Sequence, residues 1–192
     1  MVDTVNQKAI FIMEIIDMHR LNETQLTQAA QILTDELPIG WPALRDAMEE
    51  VGELLNDKPG AFYFAAMANE EVVGWCGILP MYGGRVYELH PLAVRRDMQR
   101  KAIGSALMEE VEKTAREAGG LTLWIAADDE RPGGETSFAN ADLYDDLPGR
   151  MREFEPGTHQ AAFYMKLGYK IVGVMPDANG RGKPDIFLAK RL

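Results

Sequence analysis

The stretch Tyr87-Glu-Leu-His-Pro-Leu-Ala-Val-Arg-Arg-Asp-Met-Gln-Arg-Lys-Ala-Ile-Gly-Ser105 decides how this chain is read. Its first half, within Arg85 to Val94, alternates as a strand does, with Tyr87 and Leu89 on one face and Glu88 and His90 on the other. Further on the period becomes helical. Ile103, Ala106, Leu107, Val111, Ala115 and Ala118 recur at helical spacing, and Gly119-Gly120 supplies a stop. Between strand and helix lies Arg95-Arg96-Asp97-Met98-Gln99-Arg100-Lys101, a short turn with four basic residues. The first N–H groups of a helix lack partners and carry partial positive charge, so they form a ready anion site. In a chain of net charge −10, basic side chains at that point indicate a phosphate-bearing ligand. Glu88 and His90 add a carboxylate and an imidazole able to take up or pass a proton, directly or through a water.

Elements of both periods extend in either direction. Met1 to Lys8 reads as a loose leader and Ala9 to Met18 as a first strand. Asn22 is a candidate N-cap for a helix through Leu37, with Leu26, Ala29, Ala30 and Leu33 on one face. Pro38-Ile-Gly40 breaks it, and Trp41-Pro42 begins a second helical stretch toward Leu55. Ala61 to Ala68 and Glu71 to Leu79 are predicted strands joined at Asn69-Glu70. After the central helix, Leu121 to Ala127 is a fifth strand. Asp128 to Gly157 has no clean period, and an aperiodic segment of that length usually serves function or is disordered. Within it, Asn140 to Asp146 is a candidate helical turn. Thr158 is a candidate N-cap for a helix over Gln160 to Leu167, stopped by Gly168. Tyr169 to Met175 and Asp185 to Lys190 complete the strands. The pattern implies one mixed α/β (α+β) domain over residues 1–192.

Composition narrows the function classes. The net charge of −10 argues against nucleic acid, which needs a basic footprint. An acidic surface attracts cations, although the same charge also serves plain solubility. No apolar run approaches the ~18 residues of a membrane span, and no secretory signal is visible, so the expected location is cytoplasmic, away from membranes. The single cysteine, Cys76, agrees with a reducing compartment and is expected to be an inert buried residue. No spacing of residues suggests a metal.

Gln99-Arg100-Lys101-Ala102-Ile103-Gly104 resembles the acetyl-CoA pyrophosphate loop of GNAT acyltransferases, Gln/Arg-x-x-Gly-x-Gly/Ala, with Ala102 replacing the first glycine. Four more blocks resemble the aminoglycoside 6′-N-acetyltransferases and occur in the same order. They are Glu88-Leu-His-Pro-Leu92, Asp142-Leu-Tyr144, Phe163-Tyr164 through Val174, and Pro176 to Gly180 followed by Lys183-Pro-Asp-Ile186. With Trp41-Pro42 included, the resemblance runs from Trp41 to the C-terminus. It implies a GNAT fold: a mixed central sheet with splayed middle strands, flanked by helices. It also implies acetyl-CoA as cofactor, a small polycationic amine as substrate, and a homodimer.

Roles follow from the resemblance, residue by residue. Glu88 and His90 would line the acceptor site, with Glu88 handling the amine's proton. Pro91 interrupts the strand ladder, and the Leu92 N–H would hydrogen-bond the thioester carbonyl. Ala93 and Val94 would hold the pantetheine arm. Met98, Gln99, Arg100, Lys101, Ala102, Ile103, Gly104 and Ser105 would wrap the pyrophosphate. Tyr164 would lie near the cofactor sulfur as general acid to the leaving thiolate. Trp41, Tyr82, Asp128, Asp129 and Asp142 would join Glu88 and His90 in holding the substrate. The segment from Glu130 to Ser137 departs from the family and carries no role over. The expected activity is acetyl transfer to an aminoglycoside 6′-amine by direct attack. Another polyamine, a basic peptide or a non-catalytic acyl-CoA sensor stays open.

Overall fold

The computed structural model describes residues 13–192. The expected leader and residues 9–12 of the expected first strand lie outside this range. The strands are β1 (Met13–Asp17), β2 (Phe62–Ala68), β3 (Glu71–Met81), β4 (Val86–Val94), β5 (Thr122–Asp128), β6 (Lys170–Met175) and β7 (Asp185–Arg191). The helices are α1 (Glu23–Glu36), α2 (Leu44–Asp57), α3 (Ile103–Glu117), α4 (Leu147–Arg152) and α5 (Ala161–Lys166). Seven strands form one mixed sheet in the order β1-β2-β3-β4-β5-β7-β6. The chain divides into two compact units.

The first unit comprises the residues up to Lys58, Tyr63–Cys76 and Leu92–Glu110. Its first helix starts where the sequence places it. Asn22 accepts the Gln25 N–H at 3.0 Å, and the Gln25 side chain accepts the Asn22 N–H, closing a capping box. Ala29, Ala30 and Leu33 are completely buried, and so is Trp75 of β3. The Trp75 indole N–H donates to the Ala29 carbonyl at 2.9 Å, so this large side chain is buried with its polar group satisfied. Cys76 is also buried; burial pushes its thiol well above the ordinary range, which keeps it protonated and unreactive.

The second unit comprises Pro59–Phe62, Gly77–Pro91 and Val111–Leu192. β5 pairs with β7 from Thr122↔Arg191 to Asp128↔Asp185, an antiparallel ladder over the whole of β5. β4 meets β5 in parallel at Val86↔Thr122, Tyr87↔Leu123 and Glu88↔Trp124, the extent of their pairing among the described residues. Both strands run on beyond that point, so they part after Glu88, as a sheet with splayed middle strands requires. Gly120 permits the turn into β5. A Cβ there would sit 2.8 Å from the Ala115 carbonyl and 2.9 Å from the Tyr87 ring.

The long segment after β5 is more ordered than its lack of period implies. Phe138 is fully buried and its ring centroid lies 4.6 Å from that of Phe154, giving the segment a small core of its own. The short helix lies at α4, not over Asn140 to Asp146. Asp146 caps it by accepting the Gly149 N–H at 2.9 Å, and Pro148 occupies the first turn. Thr158 caps nothing: its hydroxyl donates to Glu135 Oε1 at 3.0 Å, and α5 begins at Ala161 without a side-chain cap. Gly168, at φ 91°, stops α5 as the sequence predicts.

Candidate active site

The turn between β4 and α3 belongs to the first unit, and its basic side chains do less than the sequence implies. Arg95 is bound by Asp97 at 2.8 Å and Glu71 at 3.0 Å. The Arg96 guanidinium lies 3.6 Å from Glu36, whose other oxygen accepts the Arg96 N–H at 3.1 Å. Two of the four basic side chains are therefore committed to carboxylates of this chain. Gln99 is a strut: its amide donates to the Val94 carbonyl at 2.9 Å and to Glu36 at 3.0 Å. Met98 and Ile103 are buried, and Lys101 Nζ lies 3.3 Å from Met98 Sδ.

Beside Arg100 and Lys101, the backbone of the turn offers an anion its donors. Arg100 and Ala102 adopt left-handed φ values of 60° and 63° just before α3. Alternation between left- and right-handed residues turns successive N–H groups toward one point, the geometry of an anion nest. Ile103, Gly104 and Ser105 open α3, so their N–H groups have no carbonyl one turn back to bond. Ala102 holds its left-handed conformation without the freedom that glycine has there. Ala102→Gly therefore raises stability by about 1 kcal/mol, read as an upward shift of the denaturation midpoint.

β4 alternates strictly between half-exposed and buried residues. Glu88, His90, Leu92 and Val94 point to one side; Tyr87, Leu89, Pro91 and Ala93 are buried on the other. The predicted proton-handling pair thus lies on one face, at the place where β4 leaves β5. Residues paired in register share a face, so Glu88 sits beside Trp124, and Asp128 follows four residues further along β5 on that face. Tyr82 is 72% exposed, while Trp41, in the first unit, is half-buried.

The expected substrate carboxylates separate into different roles. Asp128 is exposed, and its side chain accepts from the Asn179 amide. Asp129 is completely buried. Its oxygens accept the Glu135 N–H at 2.8 Å, the Thr136 N–H at 2.9 Å and the Thr136 hydroxyl at 2.7 Å. Asp129 is thus the anchor of its own loop rather than an open carboxylate for a substrate ammonium. Asp142 is exposed and accepts the Tyr144 N–H at 3.0 Å in a local turn, beside a Tyr144 ring that is 75% exposed.

A further carboxylate, Asp185, stands directly opposite Asp128 on β7. One of its oxygens is buried with no hydrogen-bond partner. Burial pushes its carboxyl up to about 6, with repulsion from Asp128 and Glu88 adding to the rise. Glu130 is likewise raised, first by burial and then by Asp128. Sequence reading assigned no role to Asp185 or Asn179, although both lie in blocks that carry the family resemblance. Because Asp185 holds its proton more tightly folded than unfolded, the native state gains stability as pH falls through about 6. Asp185→Asn removes this dependence. The variant should exceed the parent by about 1 kcal/mol at pH 8, allowing for solvent screening, and match it near pH 4 in denaturation measurements.

Tyr164 is buried at 4% exposure on α5, edge-on to Phe163 at 5.2 Å and to Tyr169 at 6.0 Å. Tyr169 is a structural residue. Its hydroxyl donates to Glu112 at 3.0 Å, and Glu112 also binds Lys190 at 2.7 Å. Among the described residues, no three His, Cys, Asp or Glu side chains gather into a metal site.

Residues 26–132, more than half of the chain, match the model of the Acetyltransferase (GNAT) family. The fold is similar to that of an aminoglycoside 6′-N-acetyltransferase complexed with coenzyme A, at 36% identity and a TM-score of 0.85. It is similar also to the aminoglycoside 6′-N-acetyltransferase from Enterococcus faecium, at 36% identity and a TM-score of 0.83. An aminoglycoside 6′-acetyltransferase type Ii follows at 32% identity and a TM-score of 0.71. Each of these comparisons covers 93% of this chain and 96% of the other. No curated protein matches the sequence. The left-handed pair at Arg100 and Ala102, with the open N–H groups of the first turn of α3, has the donor set that a pyrophosphate needs. The turn, the parting of β4 from β5 and the family match agree: the chain belongs to the GNAT family of acetyltransferases, whose acyl donor is acetyl-CoA.

Proposed function

We propose that this acetyltransferase moves an acetyl group to the 6′-amine of an aminoglycoside by direct attack, as one catalytic domain acting in the cytoplasm as a homodimer. The observation that carries the reading is the 36% identity, over 93% of the chain, to an aminoglycoside 6′-N-acetyltransferase. The carboxylates of Glu88, Asp128 and Asp185, which share one face of the sheet, support a cationic acceptor.

Acetyl-CoA supplies the acetyl group as an activated thioester. Backbone N–H groups from Arg100 to Ser105 would hold its pyrophosphate, those of Met98 and Gln99 being donated to the Arg95 and Arg96 carbonyls. Ala93 and Val94 would hold the pantetheine arm, and the Leu92 N–H would donate to the carbonyl oxygen. An ammonium must shed a proton before its nitrogen can attack. Glu88 accepts that proton, with His90 next to it on the same face. Asp128 and Asp142 bind the remaining ammonium groups, and Tyr82 flanks the acceptor. Attack forms the C–N bond, and collapse of the tetrahedral adduct breaks the C–S bond. Tyr164 gives its hydroxyl proton to the leaving sulfur, and the second proton shed by the nitrogen restores the Tyr164 hydroxyl through solvent.

Free-thiol release from acetyl-CoA tests this, with kanamycin, spermidine and a basic peptide offered separately. Turnover with kanamycin and none with a 6′-hydroxyl aminoglycoside is the expected result. Turnover with spermidine or peptide alone removes the antibiotic assignment and keeps the chemistry. Tight acetyl-CoA binding without release of thiol makes the protein a sensor.

A further inference from the structure

We propose that His159 is a positioning residue that fixes Asp128 at the end of β5 for binding the acceptor amine. The inference rests on the acceptor reading above. His159 is a buried polar residue, at 3% exposure, and the proposed chemistry does not use it.

Its two ring nitrogens have partners that settle its state. Nδ1 lies 3.2 Å from the Ala161 nitrogen, which has a hydrogen to give, so Nδ1 offers a lone pair. Nε2 lies 3.0 Å from the Asp128 carbonyl oxygen, which can only accept, so Nε2 bears the hydrogen. The two contacts together fit the tautomer that carries its hydrogen on Nε2.

These two bonds join two parts of the second unit. Asp128 is the last residue of β5, and Ala161 is the first of α5, the helix that carries Tyr164. Asp128 is held at neighbouring points as well: its carboxylate accepts from Asn179, and the next N–H, that of Asp129, donates to the Pro184 carbonyl at 2.9 Å. Removing the imidazole tie takes away one of the restraints on the peptide that aims the Asp128 carboxylate. A misaimed carboxylate weakens acceptor binding and leaves the first-unit turn of residues 98–105 untouched.

Two isosteric substitutions separate the two bonds. In His159→Gln the terminal amide reaches the position of Nε2 and can still donate to the Asp128 carbonyl. In His159→Asn the oxygen takes the position of Nδ1 and accepts the Ala161 N–H, while the tie to Asp128 is lost. Steady-state kinetics with kanamycin should show KM raised about tenfold in His159→Asn, a loss of about 1.4 kcal/mol. In His159→Gln the KM should recover to about twofold of the parent value, and acetyl-CoA affinity should be unchanged in both. Asp128→Asn is the control for the underlying reading. If it leaves the kanamycin KM unchanged, the acceptor assignment of Asp128 fails. If it raises KM while His159→Asn does not, or the two His159 variants lose equally, the positioning role is overturned. Nitrogen NMR of the imidazole in the unmutated protein provides a measurement independent of how the variants fold. The Nε2–H resonance should shift when kanamycin is added and stay still in Asp128→Asn; a resonance unmoved in the parent overturns the proposal.

Discussion

Tyr164→Phe should lower turnover by about 100-fold while acetyl-CoA binds as tightly as before. The substitution is well suited to isolating the hydroxyl. Tyr164 is 4% exposed, and its ring is held edge-on by Phe163 and Tyr169, contacts that a phenylalanine ring reproduces. What disappears is a single donor. A thiolate leaving without a proton must wait for solvent, and a buried position on α5 gives solvent poor access. The split between a fallen kcat and an unchanged acetyl-CoA dissociation constant marks an interaction made in the transition state. Calorimetry alongside the thiol-release assay measures both. Turnover equal to the parent would remove Tyr164 as the acid.

Glu88→Gln should lower kcat/KM for the amine by about 100-fold, on the scale expected for loss of a general base. The amide preserves size beside Trp124 in the β4–β5 register, so the change is in charge and proton affinity rather than in packing. A second effect accompanies it. Repulsion from Glu88 is one of the influences raising the Asp185 carboxyl, so its removal lets that carboxyl titrate at lower pH. The pH profile should therefore lose its amine-activating limb, and the stability curve should move its Asp185 inflection downward. Retention of full activity at every pH would exclude Glu88 from proton handling.

The periodic parts of the chain were legible, and for physical reasons. β4 has to place alternate residues on opposite faces, and the run from Tyr87 to Val94 shows that alternation in composition as in burial. α1 declares its start through Asn22 and Gln25, because a cap and its reciprocal bond depend on residues three apart. The segment after Asp128 was not legible. It is organised by Asp129 gathering donors six and seven residues away and by Phe138 meeting Phe154, contacts that leave no period. Thr158 misled because a hydroxyl suited to capping is equally suited to a carboxylate, and Glu135 is the partner it meets.

The basic turn misled in another way. Sequence shows that Arg95 and Arg96 are cationic but cannot show that Glu71, Asp97 and Glu36 fold up against them. His159 left no mark in the sequence at all. A lone histidine has meaning only through what stands at both ends of its ring.

The Asp129 anchor bears on how such an enzyme diversifies. Its bonds to Glu135 and Thr136 are made to main-chain N–H groups and one hydroxyl, so they constrain the path of the loop far more than the identity of its outward side chains. The inward Phe138 keeps the segment folded, while Asp142, Tyr144 and Asp145 face solvent. Substitution at those three exposed positions would leave the Asp129 bonds and the buried Phe138 in place. With Asp142 in its proposed acceptor role, a library confined to those three positions would test amine preference while sparing the fold.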